Sequence, residues 1–203
     1  MPTPFFSITL MRTFWIPVIL GLFLAQAQGQ DDLFLDISEG AGLNLDGLHH
    51  ATAIGDYDRD GLQDIYVGTK NAANKLFRNL GNMEFQEVAV AAGVDDAGNT
   101  QATLWADFNN DGYLDLVNGN YLQSNRFYQN NGDGTFSDMT TALGIGNMGP
   151  CRSLHAADYD QDGWLDLYVV NINSHNVMWR NLNGTGFQNK TFPSGTIDTG
   201  IGM

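Results

Sequence analysis

The sequence predicts an all-β fold, a β-propeller of four-stranded blades with about three blades present. Three observations carry that prediction. One aspartate-rich stretch occurs three times, as DYDRDGLQDIYVGT (56–69), DFNNDGYLDLVNGN (107–120) and DYDQDGWLDLYVVN (158–171), spaced by 51 residues both times. A period of this size marks a solenoid, propeller or array. Each repeat also offers four short strand-like runs, and four strands in about 50 residues make one propeller blade. Composition agrees, since 24 Gly against only 5 Pro suits turn-rich β structure better than disorder.

In chain order, residues 1–30 read as an export signal rather than as fold. Arg12 supplies the positive region, residues 14–25 the apolar core, and the triplet Ala25, Gln26, Ala27 a small-x-small cleavage site. That core has 12 residues, short of the ~20 a membrane helix takes. No stable span is expected, and the location implied is secreted, periplasmic or cell-surface. Residues 31–203 form the partial propeller. From residue 34 the echo extends beyond the loops: Phe34, Phe85, Phe136 and Phe187 are in register, as are Gly42, Gly93, Gly144 and Gly195.

Within a blade, the run before each loop (50–54, 101–105) is small and apolar without helix caps, which predicts a buried strand. The run after it (65–67, 116–117, 167–170) is rich in β-branched and aromatic residues and predicts a second strand. NKLFRNLG (74–81), NRFYQNNG (125–132) and NVMWRNLN (176–183) give a third, and the repeated phenylalanine begins a fourth. The aromatic slot Phe77, Tyr128, Trp179 is expected to pack blade on blade. The asparagines Asn74, Asn125, Asn176 and Asn79, Asn130, Asn181 are expected to cap turns rather than bind sugar. Residues 34–37 resemble a fourth strand without its first three, as in a strand that latches a ring. A further loop would begin at 209, past the last residue, 203. Propeller rings take about four to eight blades, so the expectation is the N-terminal part of a longer protein, or a truncated record, with C-terminal blades or domains missing.

The loops 56–64, 107–115 and 158–166 carry the chemistry. Counted from the first aspartate, oxygen side chains fall at positions 1, 3, 5 and 9: Asp56, Asp58, Asp60, Asp64; Asp107, Asn109, Asp111, Asp115; Asp158, Asp160, Asp162, Asp166. Position 6 is glycine each time, and the carbonyl of position 7 (Leu62, Tyr113, Trp164) is a further candidate ligand. Ca2+ takes six to eight oxygens at about 2.3–2.6 Å, and alternate residues of a curled loop can supply them. An EF-hand is excluded: position 12 holds Val67, Asn118 and Val169 instead of glutamate, and the flanks read as strand rather than helix. Aspartate–glycine hairpins need no metal. Three copies that each crowd three or four carboxylates favour a cation, because close like charges raise each other's pKa. About three Ca2+ ions are expected.

The formal net charge is −14, and eleven of the 23 acidic residues are these candidates. Bound ions would cancel much of that charge, and an acidic chain is not built for nucleic acid. A single cysteine, Cys151, rules out a disulfide framework and a thiolate metal site; it reads as a small buried hydrophobe.

The loops, each followed by an asparagine–aromatic–asparagine stretch, resemble the FG-GAP/VCBS repeats of integrin-α-like propellers. Together with the phenylalanine and alanine–glycine tail, they are most similar to the repeats that accompany an ASPIC/UnbV domain. That resemblance implies a seven-bladed ring with Ca2+ in the hairpin between the first two strands of a blade, held by the residues named above. Asn109 departs from it, leaving a neutral oxygen and a weaker site. The FG and GAP elements are poorly kept at 53–55 and 156–157, and no ASPIC/UnbV domain is present in the sequence. The function implied is a calcium-binding exported scaffold for binding or adhesion, with a protein or glycan as ligand. The alternatives are a propeller-framed polysaccharide-active enzyme, drawing on His49, His50, His155 or His175, and a passive structural module of a larger protein.

Overall fold

The computed structural model describes residues 36–146 and 149–191. The export signal, Phe34, Gly195 and residues 200–203 lie outside them. Every element belongs to the compact unit Ser38–Met203.

Among the described residues, twelve strands form three four-stranded antiparallel sheets, each a simple meander. The first holds β1 (His49–Gly55), β2 (Asp64–Thr69), β3 (Lys75–Asn79) and β4 (Phe85–Glu87). The second holds β5 (Thr100–Ala106), β6 (Asp115–Asn120), β7 (Arg126–Asn130) and β8 (Phe136–Asp138). The third holds β9 (Cys151–Ala157), β10 (Asp166–Asn171), β11 (Val177–Asn181) and β12 (Phe187–Asn189). β5 packs on β1 and β2, and β9 packs on β5 and β6, as the inner strands of successive propeller blades do. The arrangement is open: three consecutive blades of a partial propeller.

The ladders repeat as faithfully as the sequence. In each first hairpin the register slips once, between His49 and Ala51, between Thr100 and Ala102, and opposite Val170 and Asn171. These β-bulges drop His50, Gln101 and Arg152 from the pairing, and a bulge re-aims the side chain it frees. His50 Nδ1 and Gln101 Nε2 then meet across the blades at 2.7 Å.

Two apolar clusters lie between the sheets. Tyr57, Tyr66, Leu76 and Val94 of the first repeat meet Leu116, Tyr128, Phe136 and Trp105 of the second. The Tyr57 and Trp105 rings stack at 6.2 Å, and Phe136 lies against both. Between the second and third blades, Phe108, Val117 and Phe127 meet Leu154, Leu167, Val169 and Phe187. Of the aromatic slot, Tyr128 and Trp179 therefore pack blade on blade, as the periodicity implies, while Phe77 is buried outside both clusters.

Two details differ from the sequence reading. β1 is a strand but not a buried one: its residues alternate, and Ile54 is 64% exposed. β5, with a blade on either side, is covered along its length. A short helix, α1 (Ala89–Ala92), follows β4 and ends at Gly93, whose φ of 78° is the left-handed stop glycine favours. Ala89 and Ala92 bury in the interblade cluster, so packing rather than length stabilises this single turn.

A second, polar seam joins the blades. Asn74 Nδ2 donates to Thr100 Oγ1 at 2.9 Å, and Thr100 Oγ1 donates to Asn120 Oδ1 at 2.8 Å. Gly68 makes the room, since a Cβ there would lie 2.6 Å from Thr100 Cγ2. One repeat later the same slots hold Asn125, Cys151, Asn171 and Gly119. Cysteine supplies neither a good acceptor nor a good donor, and both Asn125 Nδ2 and Asn171 Oδ1 are buried without a partner. Cys151→Thr is expected to restore both bonds and raise the unfolding free energy by about 1 kcal/mol. Urea denaturation of the variant checks this, and a loss of stability would mean that Gly119 does not admit the extra methyl group.

Candidate metal centres

Each acidic loop closes the hairpin between the first and second strands of its blade. Two residues adopt the left-handed conformation to curl it: glycine at position 6 (Gly61, Gly112, Gly163; φ 90°, 89°, 91°) and, unforeseen from sequence, position 4 (Arg59, Asn110, Gln161; φ 61°, 55°, 61°). The curl turns backbone N–H groups inward. Gly61 N donates to Asp56 Oδ2, Gly112 N to Asp107 Oδ2 and Gly163 N to Asp158 Oδ2, each at 2.9 Å.

Position 9 opens the second strand and is buried in all three repeats: Asp64, Asp115 and Asp166. Each carboxylate accepts two backbone bonds, Asp64 from Tyr57 N (3.2 Å) and Asn79 N (2.8 Å), Asp115 from Phe108 N (3.1 Å) and Asn130 N (2.9 Å). Asp166 accepts from Tyr159 N (3.1 Å) and Asn181 N (2.7 Å). Burial nevertheless dominates. Desolvation pushes Asp64 up to about 6 and Asp115 up to about 7 against the pull of those bonds, and raises Asp166 as well.

In the first loop, carboxylate oxygens of Asp56, Asp58 and Asp64 lie within 4.8 Å of one another; in the third, so do those of Asp158, Asp160 and Asp166. These two all-aspartate clusters can coordinate a divalent cation. With only oxygen donors, they suit a hard ion such as Ca2+ or Mg2+. The middle loop folds alike, but with Asn109 at position 3 it forms no three-acid group among the described residues. Position 5 stays outside both clusters. Asp60, Asp111 and Asp162 instead accept from the position-7 N–H groups of Leu62 (2.9 Å), Tyr113 (2.8 Å) and Trp164 (3.0 Å).

Sequence reasoning missed the arginines. Arg78, on β3, places Nε 2.7 Å from Asp58 and Nη2 3.4 Å from Asp60. Arg180, on β11, does the same to Asp160 (2.5 Å) and Asp162 (2.8 Å). The signal was present as the arginine of NKLFRNLG and NVMWRNLN, one repeat on either side of a glutamine. The asparagine slot was seen, but its reach was not. Asn130 Nδ2 donates to Leu114 O in its own loop (3.0 Å) and to Tyr57 O in the preceding loop (2.9 Å). Asn181 Nδ2 repeats this with Leu165 O (2.9 Å) and Phe108 O (2.8 Å).

The histidines do not assemble. His49 begins β1 rather than lying in a loop, and both of its ring nitrogens are buried without a partner. His50 meets Gln101, and His155 Nε2 lies 3.2 Å from Ser153 Oγ. Burial pushes the Cys151 thiol up to about 12, far from a reactive thiolate. Among the described residues there is no catalytic arrangement.

Two expectations follow. Because the folded values of Asp64 and Asp115 lie above the ordinary carboxylate value, the folded chain binds more protons than the unfolded chain between pH about 4 and about 7. The cation-free fold loses stability as pH rises through that window. Melting in EGTA across pH 4–8 checks this; millimolar Ca2+ should abolish the slope, and a flat profile in EGTA would contradict it. Asn130→Ala strips one buried and one part-buried carbonyl of their donor and should cost about 2 kcal/mol in urea denaturation.

Comparison with known proteins agrees with this architecture. The family model for the FG-GAP-like repeat matches residues 56–118 and 107–169. Cartilage acidic protein 1 of Mus musculus and of Xenopus tropicalis are each 32% identical over 141 residues, 68% of this chain and 22% of theirs. The Homo sapiens protein of that name is 30% identical over 141 residues, 68% of this chain and 21% of its own. The chain thus spans about a fifth of the length of these relatives. With matched repeats over more than half its length, loops at a 51-residue period and one four-stranded sheet per repeat, the chain belongs to the FG-GAP-like repeat family.

Proposed function

We propose that the chain is an exported propeller module whose three acidic loops each take up one Ca2+, and that the filled blades present a surface for a protein or glycan partner. The ligands would be positions 1, 3, 5 and 9 of each loop, with the position-7 carbonyls of Leu62, Tyr113 and Trp164. The observation that carries this reading is the buried position-9 carboxylate grouped with two further carboxylates in a loop that recurs at fixed spacing. A buried carboxylate held unfavourably by desolvation is stabilised in its charged form by an adjacent cation.

The ion's role is structural. The unfolded chain has no preformed site, so binding energy becomes folding energy. Export is supported by the N-terminal sequence pattern and by relatives named for cartilage. Among the described residues, no helix is long and apolar enough to cross a membrane.

Calorimetric Ca2+ titration of the chain, with melting followed in EGTA and in millimolar Ca2+, tests the proposal. About three ions bound with a rise in melting temperature is expected. A folded chain that binds no Ca2+ would leave plain aspartate–glycine hairpins and end the metal reading.

A further inference from the structure

The residue 20 positions after position 3 varies in step with it. Asp58 pairs with Arg78, Asn109 with Gln129 and Asp160 with Arg180. In the outer loops the guanidinium bridges the carboxylates at positions 3 and 5, at 2.7 and 3.4 Å in the first and 2.5 and 2.8 Å in the third. In the middle loop Asn109 makes that bridge itself, its Nδ2 donating to Asp111 Oδ2 at 2.8 Å, and Asn109 and Gln129 both line one small cavity. Position 3 and the residue 20 beyond it therefore carry either a carboxylate with a guanidinium or two neutral amides, and in each repeat this pair sums to zero charge. Arg59 is a further cation: it leaves position 4 of the first loop and lies over the Tyr113 ring of the second, at 5.2 Å.

We infer that Arg78, Gln129 and Arg180 are charge-setting residues of the metal loops, matched to position 3 so that the two together add no net charge to any of the three loops. The asparagine of the middle loop is then not a weakened ligand set. It is one half of a neutral pair that replaces a charged one. The guanidinium restrains the carboxylates of positions 3 and 5, and Asp58 also contributes an oxygen to the group formed with Asp56 and Asp64. Removing the arginine alone leaves the loop more negative, tighter for a cation and less stable without one. Removing position 3 alone leaves the arginine facing the cation uncompensated.

This inference rests on the calcium reading, and the experiment separates the two. Ca2+ binding by the full chain is measured calorimetrically, and melting in EGTA, for wild type, Asp58→Asn, Arg78→Gln and the double variant. Asp58→Asn should weaken one site about tenfold, and Arg78→Gln should tighten one site about tenfold while lowering the melting temperature in EGTA. The double variant should return to within about threefold of wild type. In the middle loop Asn109→Asp should tighten, and Asn109→Asp with Gln129→Arg should revert, which keeps the test available if the first-loop variants fail to fold. A double variant no tighter than Asp58→Asn, or weaker binding by Arg78→Gln, would overturn the charge matching while leaving the calcium sites standing. Wild type that binds no Ca2+ would overturn both.

Discussion

A carboxylate buried at the start of the second strand is what each blade is arranged around. Asp64, Asp115 and Asp166 have no solvent to hold their charge, and burying an ionised group is costly unless it is paired or hydrogen-bonded. The local structure answers that cost in layers. Two backbone N–H groups reach each carboxylate, one from the loop and one from the third strand. The third-strand donor belongs to the repeated asparagine, which fixes where the third strand runs. The loop donor fixes the curl, and the curl forces left-handed residues at positions 4 and 6. A divalent cation, which the clusters of the first and third loops can coordinate, would complete the same logic.

The asparagine that serves this carboxylate also binds the blade before it. Asn130 reaches Tyr57 O, and Asn181 reaches Phe108 O. The residue that supports one loop thereby anchors the neighbouring one. Tyr66 adds a further tie, its hydroxyl donating to Val94 O while accepting from Asn118 of the next blade. Two buried groups in the second seam that lack a partner, Asn125 Nδ2 and Asn171 Oδ1, trace to one residue, Cys151.

Periodicity made the blade legible: the strand count, the hairpin position of the loops and the aromatic packing all follow from a 51-residue echo with period-2 flanks. The clusters of positions 1, 3 and 9 were legible too, since one curled loop brings alternate residues together. What escaped was set by partners distant in sequence. Arg78 and Arg180 sit on the third strand, and nothing in a strand's apolar pattern says which way its exposed arginine reaches. Ile54 was read as buried because it is apolar, yet burial depends on a blade lying against β1. The turn Ala89–Ala92 is too short for a helical period to show; it exists because two alanines fill an interblade gap.

The cross-blade bonds have a consequence for how the chain acquires its fold. A single 51-residue repeat cannot satisfy itself: its loop carbonyl needs the next asparagine, and in the second repeat the inner-strand Thr100 also takes a bond from Asn74 of the first. The cooperative unit is therefore the seam and not the sequence repeat, and stability resembles a one-dimensional chain of nearest-neighbour couplings. Among the three described blades, the middle one shares a seam with both others. It is the place where order can begin and spread outward, and the last to open when the chain comes apart.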